Sequence, residues 1–384
     1  MFVYWRLICQ AAMMCVLAIL LSSCASQSLS SRALDTFPTL LGVDAQAEDN
    51  EEQVIRIDLL AVDDRMQYFI ENYVQAGGSS RARLEQLVDL IYNPAYLGLD
   101  YVADANFGAQ TAFARREANC LSFSALVIAL ARQIGVDARF QHVPMVPSWR
   151  RSGDTFLVEQ HVNVSVKVLQ HHYVIDFEPP DNVSSRMPRV ISDEQAEAML
   201  LGNLGAELLS RGEPEEAYRY FRSGLLLDPN AEALWLNLGV SLARAGFTEH
   251  AERAYLNALD ISPGNLSALN NLLILRRAEG EDTVELEQKL KQRRDRNPYY
   301  MYWQAEQWMA EDKPQRAEKE LKKAIKLRPD EADFYVLLAE SEMAQGNMNR
   351  AISLLEEAVD LASSNAQRAR IYKRLSELSA DQNS

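Results

Sequence analysis

Apolar and polar positions follow three regimes along this chain. The first is an apolar run, Leu7–Leu21, broken only by Gln10. Val54–Tyr73 then places Ile57, Leu60, Ala61, Met66, Phe69 and Ile70 at helical spacing, which predicts an amphipathic helix. Gly77-Gly78-Ser79-Ser80 breaks it, with Ser80 as the expected cap of a second helix over Arg81–Tyr92 that Asn93-Pro94 stops. Leu97–Gln110 reads as loop and Thr111–Arg116 as a short helical turn. Asn119–Gly135 is the best-marked helix: Leu121, Leu126, Val127, Leu130 and Ile134 recur at helical spacing, Asn119 suits the N-cap, and Gly135 suits the position just past the end. Beyond it the period changes to two. Val136–Val143, Thr155–Val168 and His172–Phe177 read as strands, and Pro144–Gly153 as an irregular loop. In Thr155–Val168, Val162, Val164, Val166 and Val168 face one way and His161, Asn163, Ser165 and Lys167 the other. A reversal near Leu169–His171 pairs the last two strands antiparallel and makes His161 and Asp176 diagonal neighbours.

Helical spacing returns from about Glu197, now with a period of 34 residues. Pro229, Pro263 and Pro329 mark repeat ends; the first two are 34 apart and the last two 66, close to two periods. Trp235, Leu238, Gly239, Leu242, Ala251, Tyr255, Ala258 and Pro263 fall where tetratricopeptide repeats (TPR) place bulky, small and terminating residues. Leu204, Gly205, Leu208, Ala217, Phe221 and Pro229 resemble a first copy. Ala305, Trp308, Ala317, Leu321, Ala324 and Pro329 resemble a later one, and Leu338, Ala339, Ala351, Leu355 and Ala358 the last. The copy at Leu266–Asn297 is degraded, with Arg276 and Lys289 at positions usually apolar or small, and Gln367–Leu378 is the expected capping helix. Such arrays present a concave face to a protein or peptide. The basic stretch Lys313–Arg328 reads as a solvated outer face.

The N-terminal apolar run is too short to span a bilayer, which takes about 20 residues. After Arg6 and before small residues, it fits a signal peptide. Leu21-Ser22-Ser23-Cys24 resembles a bacterial lipobox, which implies cleavage before Cys24 and its lipidation. Ala25 differs from the aspartate of an inner-membrane retention signal, so the resemblance favours a lipid anchor in the outer membrane facing the periplasm. The stretch up to Glu52 is small, polar and finally acidic, and reads as a flexible tether. A net charge of −15 argues against nucleic-acid binding through the bulk surface.

Of four cysteines, Cys9 and Cys15 lie inside the apolar run and Cys24 ends it; with that run removed and Cys24 modified, Cys120 would be the one free thiol left. It stands at the start of the Asn119–Gly135 helix, where free N–H groups and the helix dipole favour thiolate. A thiol nucleophile needs a base, and the base needs a third group to fix its tautomer. His161 and Asp176 supply both. Asn119-Cys120-Leu121-Ser122-Phe123, Glu159-Gln160-His161-Val162-Asn163 and Tyr173-Val174-Ile175-Asp176-Phe177 are similar to the three motifs of the transglutaminase-like, papain-related superfamily, over roughly Ala95–Pro180. That resemblance implies a papain-like α+β core and cysteine-dependent acyl transfer from an amide, most often by a peptidase or amidase in bacterial members.

The expected fold is therefore an α+β papain/transglutaminase-like domain followed by an all-α TPR solenoid. Residues 1–23 would form the lipoprotein signal peptide, 24–52 the tether, 53–192 the cysteine-triad domain and 193–380 the solenoid of about five repeats. The expected catalytic residues are Cys120, His161 and Asp176, with Trp149 and its loop bordering the cleft. His142 is a second candidate for the cleft, whereas His171 and His172 sit near a hairpin turn and His250 lies in the helical half. No cofactor is expected, and no His-x-x-x-His or paired-cysteine spacing points to a metal. The rival expectation is a non-catalytic envelope scaffold that binds proteins through its repeats. Glutamine–lysine cross-linking differs from hydrolysis only in taking an amine as acceptor.

Overall fold

The computed structural model describes residues 54–75, 77–145, 149–152, 155–158, 161–168, 171–177, 187–362 and 365–381. The expected signal peptide, Cys24 and the expected tether lie outside the described residues. The chain divides into two compact units. One takes Leu201–Pro263 together with the residues up to Arg56, and the other takes Ile57–Leu200 and Gly264–Ser384.

The first helix, α1, is shorter than its pattern predicts, Asp64–Tyr73, with Asp63 as its N-cap. The residues before it have other hydrogen-bond partners. Ile55 N–H donates to Ser223 Oγ at 3.0 Å and Ile57 N–H to Glu197 Oε1 at 2.8 Å. The Leu59 carbonyl accepts from Ala109 N–H at 2.9 Å. Backbone groups satisfied by tertiary partners have no need of a helix. In α2, Ser80–Tyr92, the cap is Ser79 rather than Ser80, and its hydroxyl accepts from Ala82 N–H. Strand β1 (Asp100–Tyr101) pairs parallel with β2 (Glu117–Ala118), with α3 (Ala109–Arg115) between them in sequence.

Helix α4, Cys120–Gln133, is the buried axis of this part. Every residue from Leu121 to Ala131 is buried, as expected of a helix that is apolar all round. Gly135 follows it with φ 73°, a left-handed conformation that glycine adopts without Cβ strain. α4 packs on β3 (Ala138–Val143) and β6 (His161–Val168). With β7 (His171–Ile175) and β8 (Arg189–Val190) these form a four-stranded antiparallel sheet in the order β7-β6-β3-β8. Val162, Val164 and Val166 stand opposite His142, Phe140 and Ala138, and the three valines are at most 1% exposed.

Two expectations here are corrected. The long strand Thr155–Val168 is two strands with different partners. β5 (Thr155–Val158) pairs with β4 (Trp149–Ser152), and β6 pairs with β3 and β7. Period-two alternation reports the pleat and not the partner, and Leu157 and Gln160 break it where the chain changes sheets. The segment read as irregular loop contains β4, whose four residues are too few to show alternation.

The helical half comprises α5 (Asp193–Ser210), α6 (Pro214–Leu227), α7 (Glu232–Arg244), α8 (Thr248–Ile261), α9 (Leu266–Ala278), α10 (Val284–Arg294), α11 (Pro298–Ala310), α12 (Pro314–Leu327), α13 (Ala332–Ala344), α14 (Met348–Leu361) and α15 (Asn365–Asp381). In the first unit, Ala217, Phe221, Trp235, Leu238, Ala251 and Ala258 are at most 1% exposed. A Cβ on Gly239 would meet the Tyr255 ring at 2.5 Å, and one on Gly205 the Phe221 ring at 2.6 Å. Glycine at this repeat position is what lets the paired helices approach. The first copy is looser than its pattern suggests, with Leu204 and Leu208 only half-buried.

In the second unit, Ala305, Ala317, Leu321, Ala324, Ala339, Ala351 and Ala358 are fully buried. Equivalent positions in the two units share a hydrogen-bonding device. Trp235 Nε1–H donates to the Pro229 carbonyl and Tyr335 Oη–H to the Pro329 carbonyl, both at 2.9 Å. Ser241 Oγ donates to the Pro214 carbonyl, and Ser341 Oγ to that of Pro314. Each hydroxyl ties an A helix to the start of the preceding B helix. The degraded copy is visible at α10, which buries only Leu286 and Leu290. There Lys289 is exposed and paired with Glu285 at 2.7 Å. On α12 Lys322 pairs with Glu318, and Lys323 with Glu320 at 2.8 Å. No helix among the described residues is long and apolar enough to cross a membrane.

Candidate active site

Cys120 is the first residue of α4, and its thiol is free and half-buried. The start of α4 is fixed from several sides. Asn119 Oδ1 accepts from Ser122 N–H at 2.9 Å, while Asn119 Nδ2 donates to Asn106 Oδ1 at 2.8 Å. Ser122 Oγ donates to the Ala105 carbonyl at 2.6 Å and accepts from Phe107 N–H at 2.8 Å. Ser124 Oγ donates to the Cys120 carbonyl at 2.7 Å. The cap takes the N–H of Ser122, and those of Cys120 and Leu121, in the first turn, have no partner within the helix.

His161 opens β6 and is 6% exposed. Its Nε2 lies 3.0 Å from Asp176 Oδ1 and 2.9 Å from Oδ2. The Cys120 side chain acts on the imidazole electrostatically and helps to raise its pKa. With Nε2 on the carboxylate, Nδ1 is the nitrogen left for sulfur. The β6–β7 register sets this up. Val164 stands opposite Ile175, so one pair further Asp176 stands across from Asn163 and diagonal to His161. Asn163 Nδ2 donates to Asp176 Oδ2 at 3.0 Å.

Asp176 lies one residue past the end of β7, and two contacts hold it there. Tyr92 Oη–H donates to its carbonyl at 3.0 Å. The next residue, Phe177, stacks on Phe123 of α4 at 4.5 Å and 10°, and the Tyr92 ring touches both at 5.7 Å. The aromatic cluster therefore joins the carboxylate's backbone to the helix that carries the thiol. It is worth about 0.5–1.5 kcal/mol per ring pair beyond simple burial.

Electrostatics follow from these contacts. Burial disfavours a charged imidazole, but the hydrogen bonds to Asp176 and the electrostatic effect of Cys120 outweigh it and raise His161 to about 9. Burial, and then the negative charge of Asp176, push Tyr92 up to about 12. Burial lowers His142, helped by the positive charges of Arg189 and His161. The folded value for His161 lies above the ~6.5 of an unfolded histidine. Its contribution to stability is therefore full below about pH 6.5 and is lost as pH rises through 9. Thermal unfolding followed by circular dichroism should show the melting temperature of the native chain falling more steeply between pH 7 and 9.5 than that of His161→Gln. Parallel curves would contradict the coupling.

The other histidines lie elsewhere. His171 and His172 are exposed on β7, and His250 belongs to α8. Trp149 is in β4, and the expectation that its side chain borders the cleft falls outside the described side chains. Sequence reasoning assigned no role to Asn163, Tyr92, Ser122 or Phe177. Asn163 was legible, two residues after His161 on the same strand face. Tyr92, 84 residues before Asp176, carried no local signal.

Two family models described as tetratricopeptide repeat match the chain, at residues 203–265 and 309–375. No curated protein matches it. Among solved structures, MamA (residues 41 to the end) from Desulfovibrio magneticus RS-1 is 18% identical, covering 50% of this chain and 99% of that one, with a TM-score of 0.25. YrrB, described as a TPR protein with an unusual peptide-binding site, is 16% identical over 47% of this chain and 94% of that one, TM-score 0.25. The pilF protein of Pseudomonas aeruginosa is 18% identical over 50% and 88%, TM-score 0.26. Residues 203–265 and 309–375 of this chain thus match tetratricopeptide repeats, a module that generally binds protein or peptide partners.

Proposed function

We propose that the chain is a cysteine-dependent acyl-transfer enzyme, a peptidase, amidase or acyltransferase of transglutaminase-like type, whose repeats select a protein or peptide amide. The observation that carries this reading is the imidazole of His161, held through Nε2 by Asp176 and electrostatically coupled to Cys120 at the start of α4. In the first half-reaction His161 Nδ1 takes the thiol proton and sulfur attacks the amide carbonyl carbon. The oxyanion develops beside the N–H groups at the start of α4. The imidazolium then protonates the leaving amine as the C–N bond breaks, which leaves a thioester on Cys120. In the second half, His161 removes a proton from water or an acceptor amine, which attacks the thioester. The tetrahedral intermediate expels sulfur, and the thiol proton returns. Asp176 orients the imidazole and stabilises its cationic form throughout.

The lipobox-like Leu21-Ser22-Ser23-Cys24 supports lipidation at Cys24 and a place in the bacterial envelope, on the periplasmic side of the outer membrane. Substrate trapping tests the reading. Cys120→Ala protein should retain, from envelope extracts, polypeptides that the native chain releases as shortened or amine-modified products. Equal capture by both forms with no change in the captured chains favours the alternative, a repeat-based scaffold, for which the two family matches speak.

A further inference from the structure

We propose that Asn163 is the positioning residue of the site, holding the Asp176 carboxylate in the orientation that grips the His161 imidazole; this rests on the thiol–imidazole–carboxylate reading above. An ionised carboxylate only accepts hydrogen bonds, so the Asn163 amide must turn its Nδ2 toward Asp176, and it does so at 3.0 Å. Asp176 needs such an anchor because it lies beyond the last paired residue of β7, and the contact from Tyr92 reaches only its backbone carbonyl. Asn163 is fixed where Asp176 is free: it sits inside β6, opposite Gln141 of β3, and is 6% exposed.

The orientation has a cost that points to the same role. With Nδ2 on Asp176, Asn163 Oδ1 is buried without a hydrogen-bond partner among the described residues. An amide kept only for packing would lose nothing by giving way to an apolar side chain of similar shape, since removing an unpaired buried acceptor is neutral or stabilising. An amide kept for its donor cannot be replaced in that way. Structural and positioning roles therefore predict opposite results for Asn163→Leu.

The groups that face the imidazole are Cys120 from α4, Asp176 after β7 and His142 from β3, the last beside Arg189 of β8; Tyr92 of α2 borders Asp176. The experiment is a histidine NMR titration of the full chain, with the His161 resonance assigned by its loss in His161→Gln. In Asn163→Leu the pKa of His161 should fall by about one unit or more toward the free value, and the melting temperature at pH 7 should fall with it, because the stability supplied by the raised pKa is lost. Asn163→Ser keeps a shorter donor and should fall between the two. It carries the test if the leucine variant does not fold. An unchanged His161 titration in a folded Asn163→Leu or Asn163→Ser protein overturns the role of Asn163 alone. A native His161 that titrates near 6.5 would show that nothing grips the imidazole, and the parent reading falls with it.

Discussion

His161→Ala is expected to slow acylation of Cys120 by an activated ester on the order of 10³-fold, the usual contribution of a positioned general base. The native imidazole is bonded to the Asp176 carboxylate and coupled electrostatically to Cys120, so its removal takes away the proposed base and one of the partners of Asp176. What remains is the start of α4 with its free N–H groups, which stabilises an oxyanion but moves no proton. Release of p-nitrophenol from p-nitrophenyl acetate, with intact mass to locate the acetyl group, measures the loss. Cys120→Ala should remove the burst entirely. The double variant should match Cys120→Ala, because groups that act as a unit are not additive. A His161→Ala protein that acylates within about threefold of the native rate would assign the histidine to packing, far short of the factor a base supplies.

The second large effect belongs to the repeats. Trp235→Ala should destabilise the protein by about 3–5 kcal/mol, the range for truncating a buried aromatic. The indole is 1% exposed and donates to the Pro229 carbonyl at 2.9 Å, so the change leaves both a cavity and a lost tie at the end of the first repeat. Repeat arrays draw their stability from nearest neighbours. Hydrogen exchange should therefore rise first in α6 and α8, which flank α7, and the midpoint of urea unfolding should drop. Trp235→Phe keeps most of the volume and should cost about 1 kcal/mol, the value of one net hydrogen bond. Equal losses for the two variants would mean that burial of the indole contributes little.

The repeats were legible because their signal is redundant. Alanines 217, 251, 317 and 351 fall on one period, and the copies confirm each other where a single one is weak, as at the half-buried Leu204 and Leu208. The α4 helix was legible for another reason: Asn119 and Gly135 mark both its ends, and the intervening run is apolar all round. What failed were features set by partners distant in sequence. Residues 54–63 have a helical pattern, yet Ser223 Oγ and Glu197 Oε1 take the N–H groups of Ile55 and Ile57, and the segment forms no helix. In Thr155–Val168 the alternation is clean only from His161 onward; Leu157 and Gln160 break it where the chain changes sheets, a signal that reading the segment as one strand passed over. At the site, the sequence pointed to Cys120, His161 and Asp176 through their types and order. Of the means of holding Asp176, the Asn163 amide shares the strand face of His161 in the sequence, whereas the tyrosine on α2 came only with the fold.

The most direct test is the rate at which iodoacetamide alkylates Cys120 at pH 6, compared between the native chain and His161→Ala. The thiolate is the reacting form, so a sulfur that has given its proton to His161 should be alkylated at least about tenfold faster in the native protein than in the variant. Equal rates at pH 6 would mean that thiol and imidazole do not act as a pair, and the enzymatic reading would fail.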